Sequence, residues 1–147
     1  DIAELSREII IEYLPMLEKE GIALSTDIPE TVVEIRADRD MLSRAIRNLL
    51  DNAIKYGATG KWLGYELSAD YDSVYIRIKD NGQGIDSENQ RDIFSRFYRG
   101  DKGRTPDGGM GLGLAIADEI VKLHAGSLRV ESEKGRGATF IITLRKA

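Results

Sequence analysis

Hydrophobic residues recur along this chain with two different periods, and the order of those periods restricts the fold more than any other feature. Ile2, Leu5, Ile9, Leu14 and Leu17 fall roughly at helical spacing over residues 1–20, with Pro15 expected to kink or split the helix and Gly21 to end it. Ile22, Leu24, Thr26 and Ile28 then alternate as a half-buried strand does, Pro29 stops it, and Val33 with Ile35 predicts a short second strand. Asp38 or Asp40 can cap a helix running to about Tyr56. Gly57 and Gly60 break that pattern before a strand from Trp62 to Ala69 and another through Val74, Ile76 and Ile78. Asp80-Asn81-Gly82-Gln83-Gly84 reads as a tight turn, and Ser87 as the cap of a short helix to about Phe94. Residues 99–110 hold charge, glycine and a proline but almost nothing apolar, which predicts a mobile loop. Gly111 then opens a helix with an expected buried stripe of Leu112, Ile116, Ile120 and Leu123, ended by Gly126. Leu128 and Val130 start a strand, Gly135 and Gly137 turn the chain, and Phe140, Ile142 and Leu144 point inward from the return strand.

Hairpin-like strand pairs dominate this mixed order. The expected class is α+β: a two-layer α/β sandwich, its mixed and mostly antiparallel sheet packed on helices, with residues 1–147 as a single domain. The length suits one domain with a real core, and 41% hydrophobic against 31% charged residues is ordinary globular composition. No apolar run approaches the roughly 20 residues of a membrane span, so this stretch is expected not to bind a membrane and to be cytoplasmic. The start, Asp1-Ile2-Ala3-Glu4, reads as the beginning of a piece of a longer protein. A net charge of -4 argues against nucleic acid. The absence of cysteine excludes disulfides and thiolate chemistry, and one histidine cannot build a multi-histidine metal site. Asp, Asn, Lys, Arg, Tyr and backbone amides remain for chemistry.

The helix through Leu42, Ala45, Ile46, Leu49, Leu50 and Ala53 is the most informative element. At about 100° per residue, Asn48, Asn52, Lys55 and Tyr56 share an arc of roughly 100° on its other side. Amide oxygens, a cation and an aromatic ring on one surface suit a Mg²⁺–phosphate group, because Mg²⁺ takes hard oxygen ligands and shares its shell with substrate phosphates. A plain amphipathic helix with a wet polar face would carry the same residues. Asp80, beside two glycines at a strand end, could accept a hydrogen bond from the exocyclic amine of adenine, where guanine offers a carbonyl instead. Asn81-Gly82 could equally be only a turn. An EF-hand fails because Gly82 and Gly84 occupy ligand positions. Gly109-Met110-Gly111-Leu112-Gly113 opens a helix, and free amides at a helix N-terminus bind phosphate. Arg99 and Arg104 upstream could close over that phosphate or remain solvated.

Taken in order, these stretches resemble one family. Asn48-Leu49-Leu50-Asp51-Asn52-Ala53-Ile54-Lys55-Tyr56 is similar to the N box of sensor histidine kinases, and Asp80-Asn81-Gly82-Gln83-Gly84-Ile85 to their first glycine box. Phe94-Ser95-Arg96-Phe97-Tyr98-Arg99 resembles the F box, and Gly109-Met110-Gly111-Leu112-Gly113-Leu114-Ala115 the second glycine box. Gly135-Arg136-Gly137-Ala138-Thr139-Phe140 resembles the closing hairpin. The resemblance covers essentially the whole chain and implies the Bergerat (GHKL) sandwich shared with gyrase, Hsp90 and MutL ATPases.

By that resemblance Asn52 coordinates Mg²⁺ with help from Asn48, Lys55 contacts phosphate, Tyr56 packs on adenine, Asp80 binds its amine, and Arg99 and Arg104 neutralise the γ-phosphate. Gly82, Gly84, Ile85, Gly109, Gly111, Leu112, Gly113 and Thr139 would line the nucleotide. The implied reaction moves the γ-phosphoryl of ATP to a histidine on a separate dimerisation/phosphoacceptor domain. The implied partners are that domain and a response-regulator receiver domain, within a homodimeric parent in the bacterial membrane. Gly57 stands where the family often has serine, and Ala138 where it often has threonine. A serine kinase of the anti-sigma-factor type would share the N box and glycine boxes but not the 94–99 run, and intact Asn52, Asp80 and glycine boxes weigh against a degenerate docking module, whose members often lose such residues. His124 falls about 13 residues, or roughly 20 Å, from the phosphate end of its helix, so the expected role is a helix C-terminal side chain favoured by the dipole.

Overall fold

The computed structural model describes residues 1–85, Phe94 and 109–147. The first helix, α1 (Ile2–Lys19), is capped by Asp1, whose carboxylate accepts from the Ala3 N–H at 2.9 Å and the Val33 N–H at 3.1 Å. The Ile2 N–H in turn donates to the Val33 carbonyl at 2.8 Å. These bonds occupy the backbone of Val33, so the strand expected at Val33 and Ile35 does not form: apolar alternation there serves a cap and a core contact rather than a ladder. Pro15 does not split α1. The carbonyl it strips of a donor belongs to Ile11, on the exposed side of the helix, where water can replace the lost bond.

After α1 come β1 (Ala23–Asp27), α2 (Arg39–Gly57), a single 3-10 turn (Ala58–Gly60), β2 (Trp62–Ala69), β3 (Ser73–Asp80), α3 (Gly109–Leu123), β4 (Ser127–Ser132) and β5 (Ala138–Arg145). The sheet order is β1-β2-β3-β5-β4, with β1 parallel to β2 and the other neighbours antiparallel. This is the expected α+β sandwich. Cross-strand register puts Leu63, Tyr65, Leu67, Val74, Ile76, Ile78, Phe140, Ile142 and Leu144 on one face, and all are buried under the helices. The opposite face carries Glu66, Tyr75, Arg77 and Lys79, with a Lys79–Glu66 ion pair and the Arg77 guanidinium 5.2 Å from the Tyr75 ring centroid. A polar open face needs no second helical layer.

Asp38 caps α2 through the Met41 N–H at 3.0 Å, and Leu42, Ala45, Ile46, Leu49, Leu50 and Ala53 are all buried, as the periodicity requires. Tyr13 of α1 donates to the Asp51 carboxylate at 2.7 Å; burial first and that bond next push its phenol upward from the usual range. Ser6 and Tyr65 share a buried hydroxyl hydrogen bond of 2.6 Å that ties α1 to the sheet.

Helix α3 begins at Gly109 rather than Gly111. Its buried residues are Leu114, Ala115, Ala117, Ile120 and Val121, whereas Leu112 is 40% and Leu123 72% exposed. Of the expected stripe, Ile120 is buried and Ile116 packs against the core, but Leu112 and Leu123 do not, because Ala115 and Ala117 carry contacts that a reading of large side chains assigns to leucines. The helix ends on a Schellman motif: the Ala125 N–H donates to the Lys122 carbonyl at 2.9 Å and the Gly126 N–H to that of Val121 at 3.0 Å. Ala125, not Gly126, takes the left-handed conformation, with φ 58°. Gly126 is needed for space instead, since a Cβ there would lie 2.7 Å from the Leu144 side chain and collide with the Thr143 carbonyl.

Candidate functional site

Asp80 closes β3 on the buried face, next to Ile78 in the inward alternation. Its Oδ1 accepts from the Gly82 N–H at 3.0 Å and from the Ala138 N–H at 3.3 Å. No described residue donates to Oδ2. Burial pushes the carboxyl above the ordinary aspartate range, and the two backbone donors offset part of that shift. A largely buried carboxylate with one oxygen committed to the backbone, and no described donor on the other, is set up to accept from a ligand.

The loop that carries it is latched to the β4–β5 turn through the Ser132 hydroxyl and through the backbone. The Ile85 N–H donates to Ser132 Oγ at 2.8 Å, and Ser132 Oγ donates to the Gly137 carbonyl at 2.7 Å. The Gly135 N–H donates to the Gln83 carbonyl. Gly84 (φ 75°) and Gly137 (φ 85°) admit no side chain: a Cβ at Gly84 would strike the Glu133 carbonyl, and one at Gly137 would lie 2.7 Å from the Asn81 Cα. Gly60, just past α2, abuts Asn81 in the same way, which brings the C-terminal end of α2 against the Asp80 loop. Ser132 and Ala138 are site-shaping residues that the sequence did not announce.

On α2, Asn52 is only 8% exposed, and its Oδ1 is buried without a hydrogen-bond partner. At half-buried Asn48 the partnerless atom is Nδ2, a donor. The first is an oxygen lacking a positive partner, as a hard cation requires; the second suits an oxygen acceptor. Lys55 is exposed at the end of the same face.

His124, one residue past α3, accepts at Nε2 from the Asp38 N–H at 3.0 Å, and Asp38 caps the start of α2. The packed pair α2 and α3 therefore runs antiparallel. Asn52 lies roughly 20 Å along α2 from that contact and Gly109–Gly113 roughly 17–22 Å along α3, so the glycine-rich start of α3 comes level with Asn52. The structure thus gathers Asn48, Asn52, the Asp80–Ile85 loop and the first turn of α3 at one end of the molecule. It does not bring Thr139 to Asp80: Thr139 pairs with Lys79 on the open face, while Asp80 and Ala138 are on the helical one. Arg99 and Arg104 lie outside the described residues, as do the Tyr56 side chain and the short helix expected after Ser87. Phe94, from the F-box stretch, packs edge-on against Phe140 with ring centroids 6.2 Å apart.

His124 sits at the C-terminal end of α3, as expected, and its ring bonds both helices. A backbone N–H can only donate, so Nε2 must be bare, and the proton on Nδ1 goes to the Ile120 carbonyl at 2.8 Å. The ring is neutral and bonded through both nitrogens, not a cation held by the helix dipole.

Residues 37–147 match the family of histidine kinase-, DNA gyrase B- and HSP90-like ATPases. The chain belongs to that family, as a catalytic ATP-binding domain of the sensor-histidine-kinase kind. It is 34% identical over 139 residues to the sensor histidine kinase WalK of Bacillus subtilis, covering 92% of this chain and 23% of that one. It is 38% identical over 143 residues to the heme sensor protein HssS of Staphylococcus saprophyticus, covering 97% and 30%. The nucleotide-free catalytic domain of histidine kinase ThkA superposes with a TM-score of 0.85 at 26% identity, covering 99% of this chain and 95% of that one. Full-length ShkA, solved in complex with AMPPNP, gives 0.85 at 27% identity, covering all of this chain and 30% of that one. The chain spans between about a fifth and a half of the length of the curated relatives it matches. Among the described residues no helix is long and apolar enough to cross a membrane.

Proposed function

We propose that this domain binds Mg-ATP at the end of the molecule where α2, the Asp80 loop and the start of α3 converge, and donates the γ-phosphoryl group to a histidine on a separate dimerisation/phosphoacceptor domain. The observation that carries the reading is the buried, partnerless Oδ1 of Asn52. A neutral oxygen left dry without a donor costs about 1–3 kcal/mol, which a ligand can recover. Among the described residues no group of three or more His, Asp or Glu side chains could hold a metal alone, which fits Mg²⁺ sharing its shell with phosphates. Bound there, Mg²⁺ would neutralise charge on the β- and γ-phosphate oxygens.

The chain's own residues do the rest. Asn52 offers its oxygen to the metal, and Asn48 stands one turn earlier on the same face. Asp80 accepts from the adenine amine through Oδ2. The amides of Gly109–Gly113 and the cation of Lys55 receive phosphate oxygens, and Arg99 and Arg104 screen the γ-phosphate. Phosphoryl transfer breaks the bond from the γ-phosphorus to the bridging oxygen, which leaves with its electron pair as ADP. A new P–N bond forms to a neutral imidazole, which gives up its proton to a nearby carboxylate. The parent protein would be a homodimer in the bacterial membrane, passing its phosphoryl group to a response-regulator receiver domain.

Titration calorimetry with Mg-ATP tests the reading. Wild type should bind, and Asn52→Ala should bind at least tenfold more weakly, the size of a charge-assisted contact, without a fall in the melting temperature of the empty domain. Wild-type affinity in the variant would remove Asn52 from the site.

A further inference from the structure

The imidazole of His124 spans the far end of the α2–α3 pair from the proposed nucleotide site. On one side Nδ1–H donates to the Ile120 carbonyl in the last turn of α3 at 2.8 Å. On the other, Nε2 accepts the Asp38 N–H at 3.0 Å. Asp38 is otherwise fully engaged in starting α2: its carboxylate accepts from the Met41 N–H at 3.0 Å and its carbonyl from the Leu42 N–H at 2.9 Å. Its own N–H, like those of the first helical residues, has no place in the helical ladder. The ring therefore joins the last turn of one helix to the first turn of the other through atoms that cannot slide independently.

We propose that His124 is a positioning residue for the nucleotide, acting as a neutral pin that fixes the longitudinal register of α3 against α2. The inference rests on the Mg-ATP reading above. Register matters because Asn48 and Asn52 ride on α2 and the phosphate-facing amides of Gly109–Gly113 on α3. A slip of one residue moves one set past the other by about 1.5 Å, enough to spoil a site that needs both. The pin requires the Nδ1–H tautomer, since a proton on Nε2 would face the Asp38 N–H.

Two substitutions separate the two bonds. His124→Gln keeps an acceptor oxygen near the position of Nε2, whereas His124→Asn keeps a donor near that of Nδ1 and falls short of Asp38. Each retains one hydrogen bond, so their melting temperatures should agree. Mg-ATP affinity should stay within about twofold of wild type for His124→Gln and fall about fivefold or more for His124→Asn, the worth of one ordinary hydrogen bond. Equal affinities in both variants, with binding intact in wild type, would overturn the pin alone. No binding in wild type would overturn the ATP reading and the pin with it. Because His124 is the single histidine of the sequence, its ring ¹⁵N signals can be read directly in the unsubstituted domain near neutral pH. A protonated Nδ1 beside a bare Nε2 is expected, and the opposite tautomer or an imidazolium would refute the pin without any variant.

Discussion

Asp80 is largely buried, with one carboxylate oxygen bonded to two backbone N–H groups. Its carboxyl is raised above the ordinary aspartate range because burial penalises the charge, so at neutral pH the ionised side chain weighs against folding. The sign follows from linkage: a folded-state value above the unfolded one means that stability is regained as pH falls through the raised value toward the unfolded one. Asp80→Asn keeps an oxygen for the Gly82 and Ala138 donors but carries no charge. It should melt higher than wild type at pH 7 without nucleotide, with the gap closing on acidification. The same variant should bind ATP more weakly by roughly 1.5–3 kcal/mol and guanine nucleotides with a smaller loss. Equal losses for both bases would remove Asp80 from base recognition. Ala125 poses the opposite case. It sits at φ 58°, a conformation that costs a non-glycine residue about 1–2 kcal/mol, part of which glycine returns in unfolded-state entropy. Ala125→Gly should stabilise the domain by about 0.5–1 kcal/mol in denaturant titration and leave nucleotide affinity unchanged.

At the scale of elements, the glycines of the Asp80 loop and the β4–β5 turn work as one latch. A Cβ on Gly137 would press on the Asn81 Cα from a residue already at φ 85°. Gly137→Ala should therefore cost roughly 2–4 kcal/mol and weaken ATP binding; a loss of stability without loss of affinity would separate the latch from the site. The latch also marks where the sequence stops being legible. Helix α2 could be read in full, because six large or small apolar residues contrast with asparagines and charges at a single period. In α3, Leu112 and Leu123 outweigh Ala115 and Ala117 in any reading by size, so only Ile116 and Ile120 of the expected stripe face the core. Val33 and Ile35 alternate like a strand, but alternation says nothing of whether a partner strand is at hand. Asp80 and its glycines stand out as a motif. The Ala138 N–H that orients Asp80 lies 58 residues away and has no side-chain signature, and Thr139 beside it falls on the other sheet face by simple alternation.

For the whole molecule, the separation of its one histidine from the proposed site leads to a further expectation. His124 is bonded through both ring nitrogens at the end of α3, roughly 20 Å from the helix start where phosphate is proposed to bind. Transfer needs reacting atoms near ~3–3.5 Å. Incubated with γ-labelled ATP, the isolated chain should acquire no acid-labile phosphate, and supplying a histidine-bearing helical domain in trans should yield label on that domain alone. Stoichiometric label on His124 would overturn the assignment of the reaction.

Asn52 Oδ1 sheds its water when the chain folds, before any nucleotide arrives, and Asp80 is largely buried. The empty domain is thus locally frustrated at groups proposed to receive ligand, and occupancy should be felt as a change in lifetime. At a ligand concentration 100 times its dissociation constant, mass action adds about 2.7 kcal/mol to the folded state. Limited proteolysis should accordingly spare the domain in Mg-ATP and consume it in buffer containing a chelator.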